Sequence, residues 1–193
     1  MTEESTAPAR LAPFLAQWDY FAGVLFDRLS GLTDEEYLWE PAPHVLTVRL
    51  KDGKPTPDSL GMDPSGEANS PRTIAWSVGH LASSTWERAD YLVGDHRLQP
   101  GELVWPMAAE QGTEFLAEGL GRWRDGIASM SDTDVDTVGR SAFPWGLDPD
   151  LPLLEIVWWV NKELIYHASE IWYVRDLYAV RERWGRTGGR LSP

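Results

Sequence analysis

A small set of histidines and carboxylates carries the clearest capacity for chemistry in this 193-residue chain. His167 follows Glu163 by four positions, and Glu170 comes three positions later, so the three side chains share one helical face. A carboxylate and an imidazole one turn apart can chelate a cation, and a ligand from a facing helix would complete the set. His80, near the middle of another predicted helix, is the natural third ligand.

The same residues allow other interpretations. A Glu/His pair four positions apart is common on solvated helix faces, and a lone histidine in an apolar helix is more often a hydrogen-bonded core residue than a ligand. Glu170 is a candidate catalytic residue as a general base, a carboxylate that orients a ligand imidazole, a solvated acid, or the partner of Arg175. His44 and His96 fall in loop-like contexts and are interpreted as surface residues.

Composition excludes several classes of site and partner. The formal net charge is −13 and there is no Lys/Arg cluster, so a nucleic-acid partner is not expected. The chain has no cysteine, which excludes thiolate zinc sites and cysteine nucleophiles. Any metal must therefore be held by nitrogen and oxygen. The acidic N-terminal segment lacks the features of a secretory signal, and apolar runs are too short to span a bilayer, so we expect a cytoplasmic protein without a membrane partner.

Apolar periodicity predicts an all-α protein built as a four-helix bundle, because four amphipathic stretches are joined by unequal connections without an internal repeat. An α/β sheet is disfavoured. We expect one domain over residues 1–184 and a flexible tail over 185–193. The predicted long helices are 11–32, 73–94, 108–130, which is weakened by four glycines, and 153–184.

Two further features frame these helices. Thr33 and Glu36 match the capping-box pattern of a short helix that Pro41 ends. Residues 44–71 form a long loop or small hairpin insertion between the first and second long helices, with a short strand predicted at 45–50 and a lid as one role. Five tryptophans on the ligand-bearing helices either pack in the core or wall a pocket near the metal: Trp76, Trp86, Trp158, Trp159 and Trp172.

Three segments carry a resemblance to a known family. They are Thr33-Asp-Glu-Glu-Tyr-Leu-Trp-Glu-Pro, Thr73-Ile-Ala-Trp-Ser-Val-Gly-His-Leu, and Asn161-Lys-Glu-Leu-Ile-Tyr-His-Ala-Ser-Glu-Ile with the following Arg175-Asp-Leu-Tyr. In this order and separation they resemble the DinB-like superfamily, and most closely its DUF664 (mini-circle) branch. The resemblance runs from the first helix to Tyr178 and implies a four-helix bundle, often paired as a homodimer.

The resemblance also implies a metal and a chemistry. Better characterised members hold a divalent metal with one histidine of the second helix and an H-x-x-x-H pair of the last, which here match His80, Glu163 and His167. Glu163 departs from the commoner histidine. Zn or Ni is favoured, with Fe or Mn as alternatives, and relatives such as mycothiol-dependent maleylpyruvate isomerase use the metal to activate a low-molecular-weight thiol or water.

The resemblance therefore implies a metal-dependent enzyme, a thiol-dependent transferase, isomerase or hydrolase acting on a small-molecule substrate. A non-catalytic ligand-binding or stress-associated bundle that has lost the metal is the alternative.

Overall fold

The computed structural model describes residues 8–60, 70–140 and 150–187 of the chain. Four long helices pack as a bundle, which confirms the predicted fold. The helices are α1 (Ala12–Leu29), a short α2 (Asp34–Tyr37), α3 (Ile74–Val93), α4 (Ala109–Ala128) and α5 (Leu153–Thr187), and a 3-10 turn lies at Asp134–Asp136.

Side-chain caps set the starts of α2 and α3. Thr33 and Thr73 each accept a hydrogen bond from a backbone N–H three residues later, and so begin α2 and α3. Gly94 follows the last residue of α3, as predicted. Glu36 completes the capping-box sequence, but its carboxylate accepts hydrogen bonds from Arg175 of α5. A local capping pattern is thus used partly for tertiary contact.

The last helix is longer than the sequence predicts. It runs 35 residues, about 52 Å at 1.5 Å per residue, and continues past Trp184 and Gly185 to Thr187. A glycine in a helix interior costs only about 1 kcal/mol, which does not stop a helix this long. The helix thus includes residues 185–187 of the predicted tail, and residues 188–193 lie outside the described part of the chain.

An antiparallel hairpin lies between α1 and α3, formed by β1 (Val48–Lys51) and β2 (Lys54–Pro57). Asp52 and Gly53 make its two-residue turn with φ of 53° and 74°, the positive values that a type I′ turn requires. The predicted hairpin is present, although its strand starts at Val48, three residues after the predicted start. The predicted insertion also includes residues 61–69, which are outside the described residues.

The two prolines of β2 occupy alternate positions. Asp58 donates its N–H to the Thr47 carbonyl, so N–H groups at even positions face β1. Pro55 and Pro57 therefore stand where an N–H would point away from β1, and neither removes a hydrogen bond of the ladder.

The core is centred on the α3–α4 contact, which is the most extensive in the bundle. Gly119 of α4 lies against the Ala82 carbonyl, and a Cβ there would be under 3.0 Å from its neighbours. A glycine that lowers helix propensity thus permits close helix packing. Within the described residues, no helix combines the length and the apolarity needed to cross a bilayer. The largest fully buried side chains are aromatic: Trp18, Tyr37, Trp76, Trp105 and Trp123.

Candidate metal centre

His80 of α3 meets Glu163 and His167 of α5 where the two helices pack. One ligand atom from each residue lies within 4.8 Å of the other two, so the group could hold a metal ion. His167 Nε2 and Glu163 Oε2 are 3.5 Å apart, one helical turn along α5. Helix periodicity therefore pairs two of the predicted ligands, and the α3–α5 contact adds the third.

The Nδ1 atom of each imidazole is engaged by an acceptor outside the three-residue group. His80 Nδ1 lies 3.1 Å from the Leu60 carbonyl oxygen, and His167 Nδ1 lies 2.8 Å from Glu170 Oε2. These acceptors require a proton on Nδ1, so in the neutral rings Nε2 keeps the lone pair. Metal-ligating histidines show this same arrangement, because the outer hydrogen bond fixes the tautomer and the ring orientation.

The three groups differ in charge. Burial, together with the nearby His167, lowers the pKa of His80 to about 3, so this imidazole is neutral near pH 7. Burial would raise the pKa of Glu163, but its contacts with His167 and Lys162 lower it to about 2. Burial would likewise lower the pKa of His167, but hydrogen bonds to Glu163 and Glu170 raise it. Two of the three donors are thus already in the form that a cation binds.

The insertion before α3 supports the His80 ring. Trp76 stacks on this ring with centroids 4.8 Å apart and an interplanar angle of 9°. The Trp76 indole Nε1 donates to the Ser59 carbonyl at 2.8 Å, and the adjacent Leu60 carbonyl accepts from His80. Two successive backbone carbonyls of the insertion therefore fix the positions of the indole and imidazole rings relative to each other.

Gly79 makes room for the next aromatic layer. Trp105 packs edge-on against Trp76, with centroids 6.0 Å apart, and its ring also lies over Gly79. A Cβ at position 79 would be under 3.0 Å from that ring. The glycine next to His80 is therefore a steric requirement of the aromatic stack.

Glu170 links the centre to the start of α3. Its Oε2 accepts from His167, and its Oε1 accepts from Arg72 at 2.5 Å. The interpretation of Glu170 as a partner of Arg175 is wrong, because Arg175 donates to Glu36 at 2.7 and 3.1 Å. A fully solvated Glu170 is also inconsistent with a side chain that is 32% exposed and engaged through both oxygens.

The sequence matches the family model described as the DinB superfamily over residues 17–171. The chain belongs to the DinB superfamily. The matched segment begins inside α1 and ends just after Glu170, so it includes all three candidate ligands of this DinB bundle. No curated protein and no solved structure matches the chain.

The other aromatic candidates are spread over the DinB bundle. Trp76 is buried at the site, whereas Trp158 is 58% exposed. His44 and His96 are exposed loop residues, as predicted. The remaining candidates are half-buried: Trp86, Trp159 and Trp172.

Three contributors to the site escaped prediction from the sequence: Ser59, Leu60 and Arg72. The first two act through backbone carbonyls, which every residue has, so their identities carry no signal. Arg72 did carry one. It directly precedes the N-cap residue Thr73, so its side chain must lie beside the first turn of the helix that bears His80.

Proposed function

We propose that this DinB-superfamily chain is a metal-dependent enzyme acting on a small molecule, as a thiol-dependent transferase, isomerase or hydrolase. The observation that carries the proposal is the meeting of two histidines with Glu163, each imidazole being held by an acceptor at Nδ1, which leaves the Nε2 lone pair of a neutral ring for a metal. Zn or Ni is the expected ion, because imidazole suits both, with Fe or Mn as alternatives.

The residues fit such an ion. His80, Glu163 and His167 would hold it, and three protein ligands leave a position for a substrate or water. In a tetrahedral site, ligand atoms about 2.1 Å from the ion lie about 3.4 Å from one another. Small side-chain rotations therefore suffice to close a set whose atoms spread over 4.8 Å. When bound, the metal would lower the pKa of a coordinated thiol or water so that it can attack an electrophile near neutral pH.

The chain's own residues supply orientation around this position. Glu170 keeps the proton of His167 on Nδ1, and Trp76 restricts rotation of the His80 ring. Both Glu170 oxygens are engaged, which favours an orienting role for this carboxylate over that of a general base. The chain has no thiol, so the nucleophilic sulfur would come from a low-molecular-weight cosubstrate. Membership in the DUF664 branch, with thiols of the mycothiol or bacillithiol type, is part of this proposal.

Two surface features support the remaining parts of the proposal. A cleft of about 310 Å³ lies beside Arg72 and Glu170, a size suited to a small molecule. We also expect a homodimer. The exposed rings of Trp158 and Tyr166 border a groove of about 540 Å³ between α1 and α5, where a second copy could cover them. Light scattering that gives the mass of one chain would contradict the dimer.

The first test is elemental analysis of the purified, untagged chain after incubation with divalent cations. We expect near-stoichiometric Zn or Ni in the native chain and its loss in a His80→Ala, His167→Ala variant. The matched control replaces the two exposed histidines, His44→Asn and His96→Asn. Asparagine tolerates the positive φ of 59° and 58° at these positions, so metal content should stay at the native level.

The metal-loaded chain should then accelerate transfer of a small thiol to an electrophile, and the double variant should not. The proposal would be contradicted if the native chain held no metal, or if the His80→Ala, His167→Ala variant held as much metal as the His44→Asn, His96→Asn control.

One observation favours the non-catalytic alternative. His167 lies between Glu163 and Glu170, and the raised pKa of its imidazole means that the three groups can satisfy one another as an ion pair network. In that case Glu163→Gln and His167→Gln would lower the free energy of unfolding without changing the metal content. The same elemental analysis therefore separates the two functions.

A further inference from the structure

Arg72 occupies a position between two side chains that each contact a candidate ligand. It directly precedes the N-cap residue of α3, and its side chain is 21% exposed. Its NH1 donates to Glu170 Oε1 at 2.5 Å. Its guanidinium carbon also lies 4.9 Å from the centroid of the Trp76 ring, within the range of a cation–π contact.

The backbone at Arg72 is fixed by the chain that leads into the hairpin. Leu46 donates its N–H to the Pro71 carbonyl at 2.9 Å, and Thr73 donates its N–H to the Leu46 carbonyl at 3.0 Å. These two bonds form a parallel bridge between Leu46 and Arg72. The guanidinium therefore extends from a backbone position that cannot shift without breaking the pairing.

The two contacts of Arg72 lead to different histidines. Glu170 accepts the Nδ1 proton of His167, and Trp76 stacks on His80. We infer that Arg72 is a positioning residue that couples the two histidines, holding Glu170 on His167 with one edge of its guanidinium and Trp76 on His80 with its face. This inference rests on the proposed metal-dependent function.

The geometry requires arginine in particular. A guanidinium is planar and permanently charged, so it can donate to a carboxylate along its edge while its face covers an aromatic ring. The compact ammonium of lysine can replace the charge beside Glu170 but not the flat contact with Trp76. A neutral side chain would replace neither. The three residue types therefore predict a graded series of effects at position 72.

The test measures Zn²⁺ affinity by competition with a chromogenic chelator for the native chain, Arg72→Lys and Arg72→Met. Loss of a hydrogen-bond partner of a ligand typically weakens metal binding by about 10–100-fold. Arg72 acts through Glu170, one contact further from the ligand, so we expect a loss of up to about tenfold in Arg72→Met and a smaller loss in Arg72→Lys. The matched control is Arg124→Met, which removes a two-bond ion pair with Asp19 between α4 and α1. Its affinity should stay within about twofold of native.

A second readout needs no metal. In the native chain, imidazole ¹⁵N shifts at a pH where both rings are neutral should place the proton of His167 on Nδ1. In Arg72→Met the ring should populate both tautomers, and Arg72→Lys should restore much of the Nδ1 form. Circular dichroism confirms folding, and Arg72→Lys serves if Arg72→Met does not fold.

Unchanged Zn²⁺ affinity together with an unchanged tautomer in Arg72→Met would overturn the coupling. If the native chain binds no metal, the proposed function fails, and the coupling is then judged by the tautomer populations alone.

Discussion

The two helices of the candidate metal centre differ in how far along the chain the groups that contact their histidines lie. On α5, His167 contacts Glu163 and Glu170, four positions before it and three after, so one helix sets the geometry. On α3, the acceptor for His80 is the carbonyl of Leu60, 20 positions earlier, and it reaches the ring only when the insertion packs on the bundle. A helix can thus prearrange two ligands, while the third depends on tertiary structure.

The supports also differ in charge. His80 is flanked by an indole and a backbone carbonyl, whereas His167 lies between two carboxylates. Burial and the neighbouring His167 lower the pKa of the first imidazole and keep it neutral, whereas the two carboxylates raise the pKa of the second and stabilise its protonated form. The pKa values of two histidines whose ring centroids are only 4.8 Å apart are therefore shifted in opposite directions.

The largest expected effect is on the pH dependence of stability in the metal-free chain. The pKa of His80 is about 3 in the folded state and about 6.5 unfolded, so the unfolded state binds more protons between these values. Its contribution to the free energy of unfolding should fall by up to about 1.4 kcal/mol per pH unit as the pH decreases from 6.5. The pKa of His167 is raised, so its contribution is complete below 6.5 and is lost as the pH rises through the folded value.

Urea unfolding between pH 5 and 9 in the presence of a chelator measures both effects. His80→Gln should reduce the loss of unfolding free energy as the pH falls below 6.5. His167→Gln should reduce the loss of unfolding free energy as the pH rises above 6.5. Differences between each variant and the native chain cancel the other titrating groups. If the unfolding free energy changed with pH in the same way in the native chain and both variants, the proposed opposite pKa shifts of His80 and His167 would be wrong.

A steric change should damage the α3 side by a smaller amount. Gly79→Ala places a methyl group under 3.0 Å from the Trp105 ring, and we expect it to lower the free energy of unfolding by about 1–3 kcal/mol. Gly121→Ala is the matched control, because a Cβ there has nothing within 4 Å. It should raise stability by up to about 1 kcal/mol through helix propensity. Thermal or urea unfolding decides, and equal shifts in both variants would contradict the steric role of Gly79.

The smallest effect should come from exchanging a ligand within α5. Glu163→His creates the H-x-x-x-H pair of the commoner relatives on the same helical face, so Zn²⁺ binding should survive. Because imidazole suits Zn²⁺ while carboxylate suits Mn²⁺, the ratio of the two affinities should rise by about tenfold, or about 1.4 kcal/mol. Chelator competition with each ion measures the ratio. Glu163→Gln should instead weaken the binding of both ions. A fall in the ratio of Zn²⁺ to Mn²⁺ affinity in Glu163→His would contradict this prediction.

The same contrast explains what could be predicted from the sequence. Periodicity and capping residues such as Thr73 and Gly94 located the long helices, and i,i+4 spacing placed Glu163 beside His167. His80 was selected from its place near the middle of another predicted helix, and the resemblance to DinB proteins supported that choice, because spacing alone could not join His80 to the other two ligands. The end of α5 was misplaced at Trp184 because one glycine does not outweigh the rest of so long a helix.

The supporting contacts were beyond reach for a different reason. The carbonyls of Ser59 and Leu60 act through backbone atoms that every residue shares, so only the fold assigns them a role. Glu170 was selected as a functional residue, but its partner was left open between alternatives. The sequence does not show that Arg72, just before α3, lies beside Glu170, or that Glu36 of α2 engages Arg175 instead. Both pairings depend on how the helices pack.

The two prolines of β2 have a consequence for the behaviour of the protein at high concentration. A two-stranded hairpin has an open edge, and the unpaired N–H groups of such an edge can recruit a strand from another molecule. Pro55 and Pro57 occupy the outward positions of β2, so that edge offers carbonyl acceptors without the matching donors. The β2 edge of the insertion that braces His80 is thereby protected from intermolecular strand pairing, the first step towards aggregation.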